Sequence, residues 1–238
     1  MRYSGIKPKQ PPEANVYTSS TFFRGLDKAE IRTLLDKATW EEHPARSWLY
    51  RQGETPRRLF FLESGLVRLS ELSPEGENIL LLFRTPGQVF GYFSLAELPS
   101  NISSAQVIRR ARVAVWDRDA ALKMLQSTPQ AAMNLFNVAA RDVLYFYDRT
   151  RRMATQDAGH RVAWAISELA STVGSTTRGG IEIGFAIGQR EIAELAGTTI
   201  FTVSRELTKL QRQRVLEKRR GHVLILQPEK LLDIIGAH

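Results

Sequence analysis

Between Trp40 and Trp116 the chain breaks into short apolar runs divided by glycines, and no other feature of its 238 residues restricts the fold as much. The runs Leu59 to Leu62, Leu66 to Leu69, Ile79 to Phe83 and Ala111 to Trp116 are too short for helices that bury a face. Gly53, Gly65, Gly76, Gly87 and Gly91 fall between or just beyond them. Short strands with turn signals at this spacing predict an antiparallel sandwich or barrel of the jelly-roll type. Within it, Ser73-Pro74-Glu75-Gly76 predicts a hairpin turn, with Pro presetting φ and Gly taking a positive one.

On both sides of this region the period becomes helical. Ile31, Leu34, Leu35 and Ala38 share one face, so Glu30 to Trp40 reads as a short helix. Helical spacing returns at Asp119. From Pro129 to Met153, the residues Phe136, Ala139, Val143, Phe146, Thr150 and Met153 recur at alternating intervals of 3 and 4, the spacing of a coiled-coil seam, flanked by Tyr145 and Tyr147. The alternative is a face that packs on the chain's own β region. After the cluster Arg149, Arg151 and Arg152, the stretch Ala154-Thr155-Gln156-Asp157 suits a helix start capped by Thr or Asp, and Arg161 to Thr172 is amphipathic. A loop at Gly174 to Gly180 precedes a strand (Ile181 to Ala186), a helix (Gln189 to Ala196), a turn at Gly197-Thr198 and a second helix (Thr199 to Gln213). A hairpin then pairs Val215 to Glu217 with Val223 to Leu226 around Arg220-Gly221. The expected class is α+β.

Residues Ile187 to Leu210 carry the internal spacing of a helix-turn-helix. Ile192, Ala193, Leu195 and Ala196 form the buried side of the first helix, Gly197 permits the tight turn, and Val203, Leu207 and Leu210 form the buried side of the second. On the opposite side Thr198, Thr202, Arg205, Lys209 and Arg212 recur at 4, 3, 4 and 3, a polar and basic stripe. Hydroxyls and a helix N-terminus suit phosphate oxygens, and a guanidinium can address guanine O6 and N7 together. The formal charge of +8 says little by itself, but Arg205 to Arg220 holds seven basic residues against Glu206 and Glu217, a net +5. A merely solvated face would have to coincide with the turn glycine, both buried stripes and the basic hairpin.

Composition removes other classes. With no cysteine there is no disulfide, thiolate metal site, cysteine-ligated iron–sulfur cluster or cysteine nucleophile. The sequence has no P-loop, no HExxH and no GxSxG motif, so an enzyme is not expected. No signal-peptide core opens the chain and no run is apolar enough to span a membrane, which gives the expectation of a cytoplasmic protein without a membrane partner. Residues 1–20, with Pro8, Pro11 and Pro12, read as a flexible tail.

Over residues 22–232 the chain resembles the Crp/Fnr family of transcription regulators. The resemblance is carried by Arg51-Gln-Gly-Glu54, Gly65-Leu-Val-Arg68, Pro74-Glu-Gly76, Pro86-Gly-Gln-Val-Phe-Gly91 and Gly197-Thr-Thr-Ile-Phe-Thr-Val-Ser-Arg205. It implies a cyclic-nucleotide-binding-like jelly-roll sensor (21–128), a long dimerisation helix and hinge (129–156) and a winged helix-turn-helix (157–238). It further implies a homodimer on a near-palindromic operator of double-stranded DNA, two recognition helices about 34 to 36 Å apart, and RNA polymerase as a partner. Carried onto this sequence, the base-reading positions are Phe201, Ser204 and Arg205. The phosphate positions are Gln189, Thr199 and Thr202, joined by Thr198 and Lys209 of the stripe, and the wing is Arg220, Gly221 and His222. Many members have glutamate where this chain has Phe201, and a phenyl ring cannot accept from cytosine N4 but can touch a thymine methyl.

The same resemblance places the effector pocket at Gly91-Tyr92-Phe93 and Ser103-Ser104-Ala105. Tyr92 stands where cyclic-AMP-binding members have the ribose-binding Glu, and Ser103 where they have the phosphate-binding Arg. Without that guanidinium a buried phosphate lacks its counter-charge, so the expectation is an effector other than ordinary cyclic AMP, or none. Arg109 or Arg110 could take over only in a rearranged pocket. Tyr92, Phe93, Trp48 and Phe90 suit an apolar or aromatic effector, or fill the space themselves. No cofactor is demanded: the missing cysteines exclude an iron–sulfur cluster, and the one haem-ligand candidate in the sensor region is His43, beside Pro44 before the first strand, where a surface or capping role is the simpler reading. The alternatives held open are a haem-based gas sensor and a ligand-binding module whose basic end serves a partner other than DNA.

Overall fold

In the computed structural model, residues 16–184, 187–219 and 222–236 are described. They fall into two compact units, one ending at Phe146 and one beginning at Tyr147.

In the first unit α1 (Lys28–Asp36) leads into β1 (Thr39–His43), β2 (Trp48–Tyr50), β3 (Arg58–Leu72), β4 (Asn78–Arg84), β5 (Val89–Phe90) and β6 (Ser104–Asp117). Helix α2 (Arg118–Ser127) and the start of α3 (Pro129–Thr155) follow. The strands form one antiparallel sheet in the order β1-β6-β3-β4, with β2 also on β6 and β5 also on β3. This is the jelly-roll domain of the expected α+β class. The two expected strands Leu59 to Leu62 and Leu66 to Leu69 are one, β3, whose pairing with β6 shifts register between Leu62 and Val67. Gly65 sits in this irregular stretch at φ 104°, where a Cβ would come within 2.5 Å of the Arg110 carbonyl oxygen. Only glycine fits there, so it marks a bulge instead of a strand end.

Successive side chains of β3 point to opposite faces, and here both faces are covered. Leu59 and Phe61 pack with Phe22, Phe23, Leu34, Met124 and Leu135, while Phe60 and Leu62 pack with Leu49, Val67, Phe90, Val107 and Val115. That is why Leu59-Phe60-Phe61-Leu62 is a continuous apolar run without polar alternation.

Several sequence expectations need correction. Helix α1 ends at Asp36, not Trp40, because Thr39 to His43 pair with Val115 to Ala111 of β6. Its start is fixed by a capping box: the Glu30 N–H donates to Asp27 Oδ1 at 2.8 Å, and the Asp27 N–H donates to Glu30 Oε2 at 2.8 Å. The expected tail over residues 1–20 is packed at its end. Tyr17 stacks on Phe61 with ring centroids 5.7 Å apart and donates to Glu63 at 2.5 Å, and the Ser20 hydroxyl donates to the Gly87 carbonyl at 2.6 Å. An aromatic ring covering apolar sheet surface outweighs the local polar composition; residues 1–15 lie outside the described residues. His43 closes β1 rather than preceding the first strand.

The second unit contains the end of α3, then α4 (Ala158–Val173), β7 (Ser175–Thr177), β8 (Gly180–Ile183), α5 (Gln189–Ala196), α6 (Ile200–Arg212), β9 (Leu216–Arg219), β10 (His222–Ile225) and α7 (Pro228–Ile234). Its sheet runs β7-β8-β10-β9, all antiparallel. The expected loop at Gly174 to Gly180 is in fact half of a hairpin, Thr177 pairing with Gly180. The expected strand stops at Ile183; Phe185 and Ala186 lie outside the described residues. Helix α7, which the sequence reading did not anticipate, starts on Pro228 and buries Leu231 and Leu232.

Candidate nucleic-acid interface

Helices α5 and α6 are joined by Gly197, which sits at φ 57°, and its N–H donates to the Ala193 carbonyl. A Cβ there would lie 2.7 Å from Met153 Sδ, so both the conformation and the space call for glycine. Arg161 of α4 braces the same corner: its Nε donates to the Ala196 carbonyl at 2.8 Å and its Nη1 to the Gln156 carbonyl at 2.6 Å. A guanidinium at the C-terminal carbonyls of α5 complements the helix dipole. The sequence reading missed Arg161, because nothing in local spacing marks a side chain that serves another helix.

Helix α6 starts on Thr199, whose Oγ1 accepts the Thr202 N–H at 3.2 Å. Val203, Leu207 and Leu210 are buried, so the other side is set outward. Phe201 is 87% exposed and Ile200 45%. Arg205, Lys209 and Arg212 are exposed, and Ser204 and Thr202 are half-buried. Arg205, Thr208, Lys209, Arg212 and Gln213 line an open depression along the helix. Thr198 does not belong to this stripe. It lies in the turn before α6, where its N–H donates to the Ala193 carbonyl at 3.0 Å. Gln189 is the first residue of α5 and half-buried.

A carboxylate sits among these cations. Glu206, largely buried, lies 3.3 Å from Arg205 Nε and 3.9 Å from Lys209 Nζ. Beside them the Lys218 ammonium donates to Thr208 Oγ1 at 2.9 Å, tying β9 to α6. In the wing, His222 opens β10 with its Nε2 3.1 Å from Glu182 Oε1. Arg220 and Gly221, the expected wing tip, lie outside the described residues.

In α3 the seam positions vary. Phe136 is 66% and Val143 67% exposed, with Thr150 also exposed, while Ala139, Phe146 and Met153 are half-buried. Met133, Leu144 and Tyr147 add further exposed apolar surface to the helix.

The interior of the first unit holds polar groups that the sequence reading did not single out. Arg84, at the end of β4, is buried, and its Nη1 donates to Asp142 Oδ1 of α3 at 3.2 Å, with a second contact between Nη2 and Oδ2. The Tyr92 hydroxyl donates to the same Asp142 Oδ2 at 2.6 Å. Burial drives the Tyr92 hydroxyl pKa upward, and the neighbouring Asp142 carboxylate drives it further. Burial also pushes Tyr50 up to about 12, against a hydrogen bond with Ser103 and the charge of Arg84. Tyr50, Ser103, Arg84, Tyr92 and Asp142 thus form one cluster. Gly91 turns the chain at φ 78°, with room for no Cβ beside the Arg58 carbonyl. Ser104 Oγ accepts the Gln52 N–H at 2.9 Å, and Ala105 is buried against Leu69.

Other expected pocket members face elsewhere. Phe93 and Trp48 are exposed, Trp48 with Arg51 over its ring at 5.3 Å, and Phe90 stacks on Phe60 at 5.1 Å. Arg109 and Arg110 are exposed, Arg110 paired with Glu42. The arginine inside comes from β4 instead. His43 Nε2 lies 2.8 Å from Glu41 Oε2.

Comparison with known proteins agrees with this architecture. Residues 40–128 match the cyclic nucleotide-binding domain and residues 160–234 the Crp-like helix-turn-helix domain. The chain is 27% identical over 209 residues to the CRP-like cAMP-activated global transcriptional regulator of Mycobacterium tuberculosis, covering 88% of this chain and 93% of that one. It is 28% identical over 215 residues to the cyclic AMP receptor protein of Thermus thermophilus, covering 90% and 96%. The solved structure of FixK2 from Bradyrhizobium japonicum shares the fold, with a TM-score of 0.71 at 24% identity over 83% of this chain and 96% of that one. A cyclic-nucleotide-binding fold followed by a helix-turn-helix of this kind places the chain in the Crp/Fnr family of transcription regulators.

Proposed function

We propose that this DNA-binding regulator reads a near-palindromic operator as a homodimer. Two copies pair along the α3 face of Phe136, Ala139, Val143, Phe146, Thr150 and Met153. Phe201, Ser204 and Arg205 read base edges, and Gln189, Thr199, Thr202, Lys209 and the wing around Arg220, Gly221 and His222 hold phosphates. RNA polymerase is the further partner that the family's mode of action calls for. The observation that carries this reading is the outward face of α6, cationic at Arg205, Lys209 and Arg212 and backed by a buried apolar face that fixes its orientation.

The sensor, in this reading, takes an effector other than ordinary cyclic AMP, or none, and works without haem or another cofactor. Ser103 provides no counter-charge for a cyclic phosphate, and the interior cation, Arg84, is already engaged by Asp142. Its Nε has no hydrogen-bond partner among the described residues, but both terminal nitrogens are committed. The two relatives named for cyclic AMP therefore differ from this chain in the expected effector.

Genomic footprinting of the tagged protein, followed by mobility shifts on the recovered sites, tests the DNA reading. Two-fold symmetric footprints and steeply salt-dependent binding are expected; unselective, salt-insensitive binding would overturn it. Calorimetric titration with cyclic AMP is expected to be flat, and micromolar binding would refute the effector reading.

A further inference from the structure

The recognition helix opens with two exposed apolar side chains, Ile200 and Phe201, and Phe201 is the most exposed large apolar residue among those described. At 100° per residue, Phe201 stands on one line with Arg205, Thr208 and Arg212, while Ile200 stands beside Ser204. Phe201 does not help hold α6 in place, since Val203, Leu207 and Leu210 do that from the opposite side, whereas Ile200, in line with Leu207, sits at the edge of that buried side with 45% of its surface exposed. An apolar side chain this exposed at the head of a cationic helix needs an occupant that is apolar yet embedded in negative charge. The surrounding cations Arg205, Lys209 and Arg212 disfavour an apolar protein patch and suit a polyphosphate backbone. In the major groove the one apolar group on a base edge is the C5-methyl of thymine.

We infer that Ile200 and Phe201 form a methyl-reading platform, so that the operator is recognised at its outermost α6 contact by pyrimidine C5-methyl groups and not by hydrogen bonds. This rests on the reading of α6 as the base-reading helix, and it names what that helix reads. It also makes recognition sensitive to the methylation state of a cytosine at the same step, because 5-methylcytosine presents the same group at the same place. Covering one methyl is expected to change the dissociation constant about 4-fold.

The test uses the unmodified full-length protein. Selection from a random duplex library gives its preferred site, and a set of duplexes then replaces each thymine singly by deoxyuridine, which removes the methyl and leaves every hydrogen-bonding group. One or two positions per half-site are expected to lose about 4-fold in affinity. Cytosine at those positions is expected to bind more weakly than 5-methylcytosine. In Phe201→Ala and Ile200→Ala the deoxyuridine penalty is expected to vanish while salt-dependent binding persists. Deoxyuridine tolerated at every position of a selectively bound site would overturn the methyl platform and leave the DNA reading standing. If no sequence is selected, both fall. A change of oligomeric state in Phe201→Ala without a change in selectivity would show that the ring packs on a second copy, and would equally overturn the proposal.

Discussion

Arg84 and Asp142 lie 58 residues apart in sequence and close a buried ion pair between the last residue of β4 and the middle of α3. Asp142 also accepts the Tyr92 hydroxyl, so one carboxylate holds two partners from the sheet side. Removing one member of such a pair leaves a charge in an interior that cannot solvate it, whereas removing both does not.

Arg84→Met and Asp142→Leu are each expected to lower stability by about 3–5 kcal/mol, and the double variant to recover much of the loss. Urea titrations of the four proteins form the thermodynamic cycle. Additive losses would show that the pair is not coupled.

The turn glycine gives a second expectation. Gly197→Ala places a side chain in a left-handed conformation, costing about 1–2 kcal/mol, and drives its Cβ against Met153 Sδ. Hydrogen exchange should show the amides of α5 and α6 opening more readily. Adding Met153→Ala is expected to relieve the collision but not the conformational cost, leaving a partial defect.

Acid sensitivity should appear at the start of α4. The Asp157 carboxylate accepts the His160 N–H at 3.0 Å and lies 2.9 Å from His160 Nδ1, and first that backbone bond, then the side-chain contact, hold its pKa below the ordinary carboxylate value. A depressed folded-state pKa contributes stability that is complete above the unfolded value of about 3.9. That contribution is lost as pH falls through the folded value. Asp157→Asn keeps the cap but cannot titrate, so its urea midpoint is expected to fall less steeply than wild type below about pH 4. Asp157→Ala at neutral pH is expected to cost about 0.5–2 kcal/mol.

On DNA, the exposed cations of α6 should separate by role. Arg205→Ala is expected to relax discrimination at one guanine by about 1–3 kcal/mol, whereas Lys209→Ala weakens all sequences alike and lowers the salt slope by about 1. Mobility shifts on matched and guanine-substituted sites across a salt series distinguish the two patterns; equal effects of both variants on every site would reject the assignment.

The α3 face makes the last prediction. Val143→Asp places a charge on a side chain that is two-thirds exposed within one chain, so the fold should survive while pairing of two copies fails. Sedimentation is expected to show monomers, with DNA affinity reduced; an unchanged dimer would place the interface elsewhere.

Much of this protein was legible in its sequence because the signals are local. The helix-turn-helix announces itself through Gly197 and two buried stripes a fixed number of residues away, since helical geometry converts sequence spacing into a shared face. Glycines set the turns of the sensor for the same reason: positive φ is a property of one residue. What escaped was decided between residues distant in the chain. Trp40 belongs to β1 because its partner is Ala114, and Tyr17 is ordered because Phe61 lies beneath it. Arg161 braces α5 from α4, and Arg84, not Arg109 or Arg110, is the arginine inside the β domain because it pairs with Asp142, on which Tyr92 also converges. Charge and apolarity along the chain fix what each segment can do; only packing, through desolvation and the pairing it enforces, decides which charge ends up buried and with whom.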